Sequence, residues 1–285
     1  MSQRQRAQGY FIKPECCEVI PLQWSVSRLA DRKIGVSMLY TLGEPFEAMV
    51  KAIPDNAVKY VEIVDDGNHA LDKKRAAELK EAGASYGVEF TVHAPFAGIN
   101  IVVQDKIILE ATLRRLRESI MNSATLDCKL WVLHPGLMTG ISYFHPEEDW
   151  VRNIEGIRSL VKYAEDNGVK VGLENIMEPF VLKTVAEFRR FYVDSGLNVG
   201  LALDTGHANV TGELEGFLRE FPDKLVHVHA HDNLGKNDQH LGVGYGNIDW
   251  KNFAELVTKS GFDGILMIEA IENIKESVQR LKSLF

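Results

Sequence analysis

Eight short apolar runs rich in β-branched residues recur from Lys33 to the end of the chain, each followed by a longer amphipathic stretch. That alternation leaves few folds open, because strand and helix patterns taking turns describe repeated βα units around a parallel sheet. The runs fall at 34–38, 60–64, 89–93, 130–134, 170–174, 199–204, 225–229 and 264–269. The spacing between them predicts helices over 44–53, 71–86, 104–124, 146–167, 184–195, 213–220, 249–260 and 273–284. Pro146 suits a first helical position, Asp249 a cap, and Gly87, Gly168, Gly196 and Gly261 follow their helices as terminators. Eight strands and eight helices in strict order predict an α/β fold, a single (β/α)8 barrel over 33–285. A doubly wound sheet, the other candidate, usually has fewer strands. Residues 1–32 show no clean period and read as a short N-terminal extension.

Size agrees, since 285 residues suit one barrel of roughly 250 residues plus an extension. With 45% hydrophobic and 25% charged residues, the chain has enough apolar side chains for a large core. A formal charge of -8 offers no general basic surface to nucleic acid. The three cysteines, Cys16, Cys17 and Cys128, are too few and too badly spaced for a disulfide framework and point to a reducing compartment. No run approaches the ~18 apolar residues of a membrane span, so a cytoplasmic location without membrane contact is expected.

Polar residues become informative through their place on the runs. His93, His134, Glu174, Asp204, His229 and Glu269 each end an apolar run. Barrel active sites lie at the C-terminal ends of the strands, so these six side chains would converge on one centre. The stretch 226–250 adds density, with His227, His229, His231 and His240 alongside Asp232, Asp238 and Asp249. Imidazole and carboxylate without cysteine suit zinc or manganese.

These residues stand in motifs that occur in a telling order: V-H-A-P-F, L-H-P-G, L-E-N, L-D-T-G-H, H-x-H-D, D-x-H-x-x-G-x-G-x-I and I-E-A. In them the chain resembles, from about Lys33 onward, the TIM-barrel superfamily of endonuclease IV (AP endonuclease family 2) and the xylose isomerase-like sugar isomerases and epimerases. The endonuclease IV side of the resemblance implies three zinc ions. His93, His134 and Glu174 would hold one; Glu174, Asp204, His229 and Glu269 a second; His207, Asp238 and His240 a third. The isomerase side implies one ion, commonly manganese, on Glu174, Asp204, His229 and Glu269.

Charge separates the two readings. Three divalent ions among four carboxylates leave about +2, which suits a phosphate oxygen, whereas one ion leaves about -2, which suits a neutral sugar. Keeping five ligands beyond the isomerase set leads the sequence toward a metal-dependent hydrolase of a sugar-containing phosphoester. The alternative is a sugar or sugar-phosphate isomerase or epimerase in which Glu174 and Glu269 exchange protons with the substrate. Behind these stand an abasic-site DNA endonuclease and a non-catalytic sugar-binding barrel.

DNA is the less suitable partner, because the loop after the second run, Asp65 to His69, is acidic where endonuclease IV-like enzymes carry an intruding arginine. Phe96 and Ala97 keep only half of that family's aromatic and leucine wedge. Glu62 and the ending G-N-I-D-W resemble the isomerase side, and Glu62 and Phe96 become candidate substrate contacts. The remaining features read as structure. His227 is expected as a core histidine, His231 and Asp232 as groups orienting ligands, His69 and His145 as solvent-facing, and Cys128 as a small buried hydrophobe. The basic run Arg114, Arg115, Arg117 reads as a solvated helix face. Gly242, Gly244 and Gly246 follow the wrong strand for a nucleotide loop.

Overall fold

The computed structural model describes residues 32–285, so the expected extension lies outside the described residues except for Arg32. The strands are β1 (Lys33–Ser37), β2 (Tyr60–Val64), β3 (Glu89–His93), β4 (Leu130–Leu133), β5 (Lys170–Glu174), β6 (Gly200–Asp204), β7 (Leu225–Ala230) and β8 (Ile265–Ile268). They pair in chain order and in parallel, and β1 against β8 closes the ring with Lys33 opposite Ile265 and Val36 opposite Ile268. This is the expected (β/α)8 barrel, a TIM barrel.

The helices are α1 (Phe46–Ala52), α2 (Lys73–Tyr86), α3 (Lys106–Thr125), α4 (Pro146–Asp166), α5 (Val185–Ser195), α6 (Thr205–Thr211), α7 (Leu214–Glu220), α8 (Trp250–Lys259) and α9 (Ile274–Leu284). Eight were expected and α6 is additional. It starts directly where β6 ends, with the Asp204 carboxylate accepting the His207 amide, and it stops at Gly212 with φ 73°. The boundary signals elsewhere work as chemistry requires. Thr184 and Glu187 form a reciprocal capping box at the start of α5, and Gly196 ends that helix at φ 62°, a conformation that costs glycine nothing.

Strands covered by helices on one side and filled by their own side chains on the other are buried on both faces. Val36, Val61, Leu201, Val228 and Leu266 are accordingly inaccessible to solvent. Trp131 on β4 is also fully buried, and its indole N–H reaches Ser119 Oγ on α3 at 3.0 Å. Cys128 is buried as expected, and burial pushes its thiol up to about 12. Among the described residues no helix is long and apolar enough to cross a membrane.

Three expectations about the loops are corrected. Asp65 does not face outward: it is fully buried, and Arg115 donates to its Oδ2 at 3.2 Å and to its carbonyl at 2.9 Å. Asp66 turns inward over the next loop, accepting the amides of Phe96 at 2.8 Å and Ala97 at 2.7 Å. His69 is buried, with its Nε2 3.1 Å from the Glu44 carbonyl. Of the basic run only Arg114 is exposed as expected, because Arg115 is committed to Asp65 and Arg117 to Ser159 at 3.1 Å.

Candidate metal centre

Glu174 ends β5, Asp204 ends β6, His229 lies one residue before the end of β7 and Glu269 follows β8 directly. Because neighbouring strands hold a common register, these ends sit side by side at one mouth of the barrel. One oxygen or nitrogen from each lies within 4.8 Å of the others. His229 Nδ1 is the hub, 3.3 Å from Glu174 Oε1, 3.3 Å from Glu269 Oε2 and 3.9 Å from Asp204 Oδ2. All four side chains are buried.

The other five residues singled out by sequence flank this centre on two sides. Toward β3 and β4, Glu174 Oε2 faces His93 Nε2 at 3.4 Å and His134 Nε2 at 3.3 Å. Toward α6, His207 Nδ1 stands 3.3 Å from Asp204 Oδ1. Asp238 Oδ2 joins His207 Nε2 at 3.3 Å and His240 Nε2 at 3.0 Å. Backbone carbonyls orient three of the imidazoles: His93 Nδ1 donates to Ala94 at 2.7 Å, His207 Nδ1 to Asn175 at 3.0 Å, and His240 Nδ1 to Glu269 at 2.7 Å. Each bond turns Nε2 toward the cluster, the arrangement that metal-binding histidines use.

The donor set fits a divalent cation by a test internal to the protein. Both carboxylate oxygens of Glu174 and the Nδ1 of His229 that faces them are buried without an aligned hydrogen-bond partner. Leaving such groups bare is costly, and a cation shared among them removes the cost.

Electrostatics divides the carboxylates. Burial pushes Glu174 up, but the charges of His229 and His134 outweigh it and hold the acid well below its ordinary range. Glu269 ends above its ordinary range, because burial exceeds the attraction of His229 and His240. The imidazoles divide too. Although burial opposes it, Glu174 lifts His93 to about 9, while burial holds its neighbour His134 below the ordinary value. Their Nε2 atoms are 3.1 Å apart, which leaves room for only one proton between them.

Glu62 and Phe96 take different places. Phe96 is 37% exposed at the mouth, its ring stacked 5.8 Å from that of His134, and Phe180 meets His134 edge-on at 5.8 Å. Glu62 is fully buried beneath the centre, 3.1 Å from His229 Nε2 and 3.2 Å from His227 Nε2. His227 is the fully buried histidine expected. Asp232 departs from its expected role. Instead of orienting a ligand it gathers the amides of Asn233, Gly244 and Ile248 and the Trp250 indole, pinning the glycine-rich turn. His231 does face the site, with Nε2 2.9 Å from Asp204 Oδ2 and its ring stacked 4.0 Å from that of His240.

Two further contributors, Asn175 and Gly206, are neither ionisable nor themselves strand-end residues. Asn175, next to Glu174, exchanges two hydrogen bonds with the Asp204 backbone, at 2.8 and 3.1 Å, and so locks the ends of β5 and β6 together. Gly206 leaves the space that the His231 ring occupies. The L-E-N and D-T-G-H motifs contain both, and only their ionisable members stood out.

A closed parallel barrel with carboxylates and imidazoles gathered at its strand ends defines a class of barrel proteins with a metal-type centre. Within that class the chain belongs to the xylose isomerase-like TIM barrel family, whose model matches residues 50–284. It is 33% identical to an uncharacterized protein of Methanocaldococcus jannaschii over 87% of each chain. A crystal structure of a D-tagatose 3-epimerase-like protein superimposes with a TM-score of 0.83 at 32% identity, covering 88% of this chain and 96% of that one. The D-psicose 3-epimerase of Ruminiclostridium cellulolyticum is 28% identical over 67% of each chain.

Proposed function

We propose that this protein is a divalent-metal-dependent sugar isomerase or epimerase. The observation that carries the reading is the pair Glu174 and Glu269, each with an oxygen 3.3 Å from His229 Nδ1, so that two carboxylates of opposite protonation tendency flank one point. Kinship with sugar epimerases supports it over the phosphoester hydrolysis toward which the sequence leaned. Three carboxylates and one imidazole suit manganese or zinc. An ion held by Glu174, Asp204, His229 and Glu269 would polarise substrate carbonyl and hydroxyl oxygens and so acidify the neighbouring C–H.

The residues then divide the proton work. Glu174 takes the proton from the carbon beside the carbonyl, and the C–H electrons delocalise into that carbonyl. Glu269, acting as the acid, returns a proton to the same carbon from the opposite face as the electrons come back, inverting it. Phe96 and Phe180 offer aromatic walls to the sugar's C–H face. A cleft of about 650 Å³ lined by Met177, Lys183, Thr211, Lys236 and Asp238 adjoins the cluster, within the size range of small-molecule sites.

Hydrolysis of a sugar phosphoester is the second reading, favoured by one observation: beside the first group, Asp238 Oδ2 lies 3.3 Å from His207 Nε2 and 3.0 Å from His240 Nε2. Incubating metal-loaded protein with ketopentoses and ketohexoses in D2O, and in parallel with a small phosphodiester and an abasic duplex, tests both. Solvent deuterium appearing in a new epimer supports the isomerase. Phosphodiester or duplex cleavage without exchange into any sugar overturns it.

A further inference from the structure

We infer that Glu62 is a positioning residue that fixes His229 in the tautomer able to bind a cation through Nδ1; this rests on the four-residue metal site proposed above. The geometry of the ring poses the question. Its Nδ1 faces Glu174 and Glu269, both at 3.3 Å, so a neutral imidazole serving there must carry its proton on Nε2. That N–H is buried and needs an acceptor. Glu62 Oε1 lies 3.1 Å away, the separation of a hydrogen bond, and neither atom has an aligned partner elsewhere among the described residues.

His229 is the exception among the oriented histidines of this site. His93, His207 and His240 each give a proton to a backbone carbonyl, whereas His229 meets only a side-chain carboxylate. Carbonyl partners are supplied by the chain path itself, but Glu62 comes from β2, three strands round the barrel from β7. Glu62 is in turn steadied from both flanks. Thr91 Oγ1 donates to its Oε2 at 3.1 Å, and His227 Nε2 stands 3.2 Å from the same oxygen. A carboxylate held this way inside the barrel has no solvent role, and it reaches the cation site only through the ring of His229.

The test uses the full chain and Zn2+ as the probe. In the Zn2+-loaded protein, a long-range proton–nitrogen NMR spectrum of ¹⁵N-histidine-labelled protein should show His229 protonated at Nε2. Protonation at Nδ1, or a second zinc held by Glu62, His227 and His229, overturns the inference. Competition titrations should show Glu62→Leu weakening Zn2+ binding by about 10–100-fold, the usual cost of losing a partner behind a metal-bound histidine. Glu62→Gln, whose amide oxygen still accepts the N–H, should recover most of the affinity. A merely structural Glu62 would lower the urea midpoint of both variants and leave Zn2+ affinity unchanged, which also overturns the inference. If Glu62→Leu does not fold, the wild-type spectrum and Glu62→Gln decide. Absence of Zn2+ binding by the parent protein would instead reject the four-residue site itself.

Discussion

Asp65 and Arg115, fifty positions apart, form a buried ion pair beneath the loop that follows β2. Arg115 donates from two nitrogens to the carboxylate, and Asp65 Oδ1 also accepts the amide of Leu71 at 2.6 Å. A residue that reads in sequence as part of an acidic surface is thus an internal brace. Removing the guanidinium leaves a carboxylate with no counter-charge in a dry site. Arg115→Ala should cost about 2–4 kcal/mol, toward the lower end because the arginine side chain is 26% exposed. Urea unfolding measures it. A loss under roughly 0.5 kcal/mol, the scale of an exposed pair, would show that the brace contributes little.

Sequence made the barrel legible because its signals are local and repeated. Strand period, helix caps and terminators each act within a few residues, and six strand ends carried an ionisable group. What escaped depends on distance. Nothing near Asp65 announces Arg115, and nothing near His69 announces that its ring is covered. Helix α6 was missed because T-G-H-A-N-V-T contains glycine, asparagine and β-branched residues, which are poor helix formers, and only the Asp204 cap and the barrel behind it hold the turn together. The candidate site was legible as a set of residues but not as a hierarchy. Composition could not place His231 against Asp204 or put Glu62 underneath His229.

Gly206 gives a test of that hidden packing. A Cβ there would press into the His231 imidazole well inside contact distance, and the ring is fully buried with nowhere to retreat. Gly206→Ala should therefore destabilise by about 1–3 kcal/mol and also weaken cation binding, because His231 is displaced from Asp204. Thermal unfolding with and without Mn2+ separates the two effects. If the substitution lowers the melting temperature equally in both conditions, His231 does not support the site.

The oxygens of Glu174 face His93 and His134 on one side and His207 and His229 on the other, whereas His240 bonds to Asp238 and the Glu269 carbonyl and stacks on His231, away from Glu174. Glu174→Ala should release essentially all bound metal on dialysis, a loss beyond the roughly 10–100-fold that accompanies changes behind the ligands. His240→Ala should keep the ion held by Glu174, Asp204, His229 and Glu269. Elemental analysis of the dialysed variants decides, and equal metal content in the two would remove Glu174 from the centre of the site.

The proton work proposed for the two glutamates predicts a split between exchange and inversion. Glu269→Gln keeps a donor oxygen of nearly the same shape but cannot deliver a proton as an acid. Epimer formation should fall by about 10²–10⁴-fold, the usual contribution of a positioned acid or base. Glu174 can still remove the substrate proton and put one back on the face it came from, so deuterium from D2O should enter the original sugar faster than the new epimer accumulates. The comparison requires variant protein shown by elemental analysis to hold as much metal as the parent, because Glu269 belongs to the same cluster. Wash-in and inversion are read from one NMR time course. If both fall together, or if the epimer forms within tenfold of the parent rate, Glu269 does not supply the second face and the two-carboxylate assignment fails.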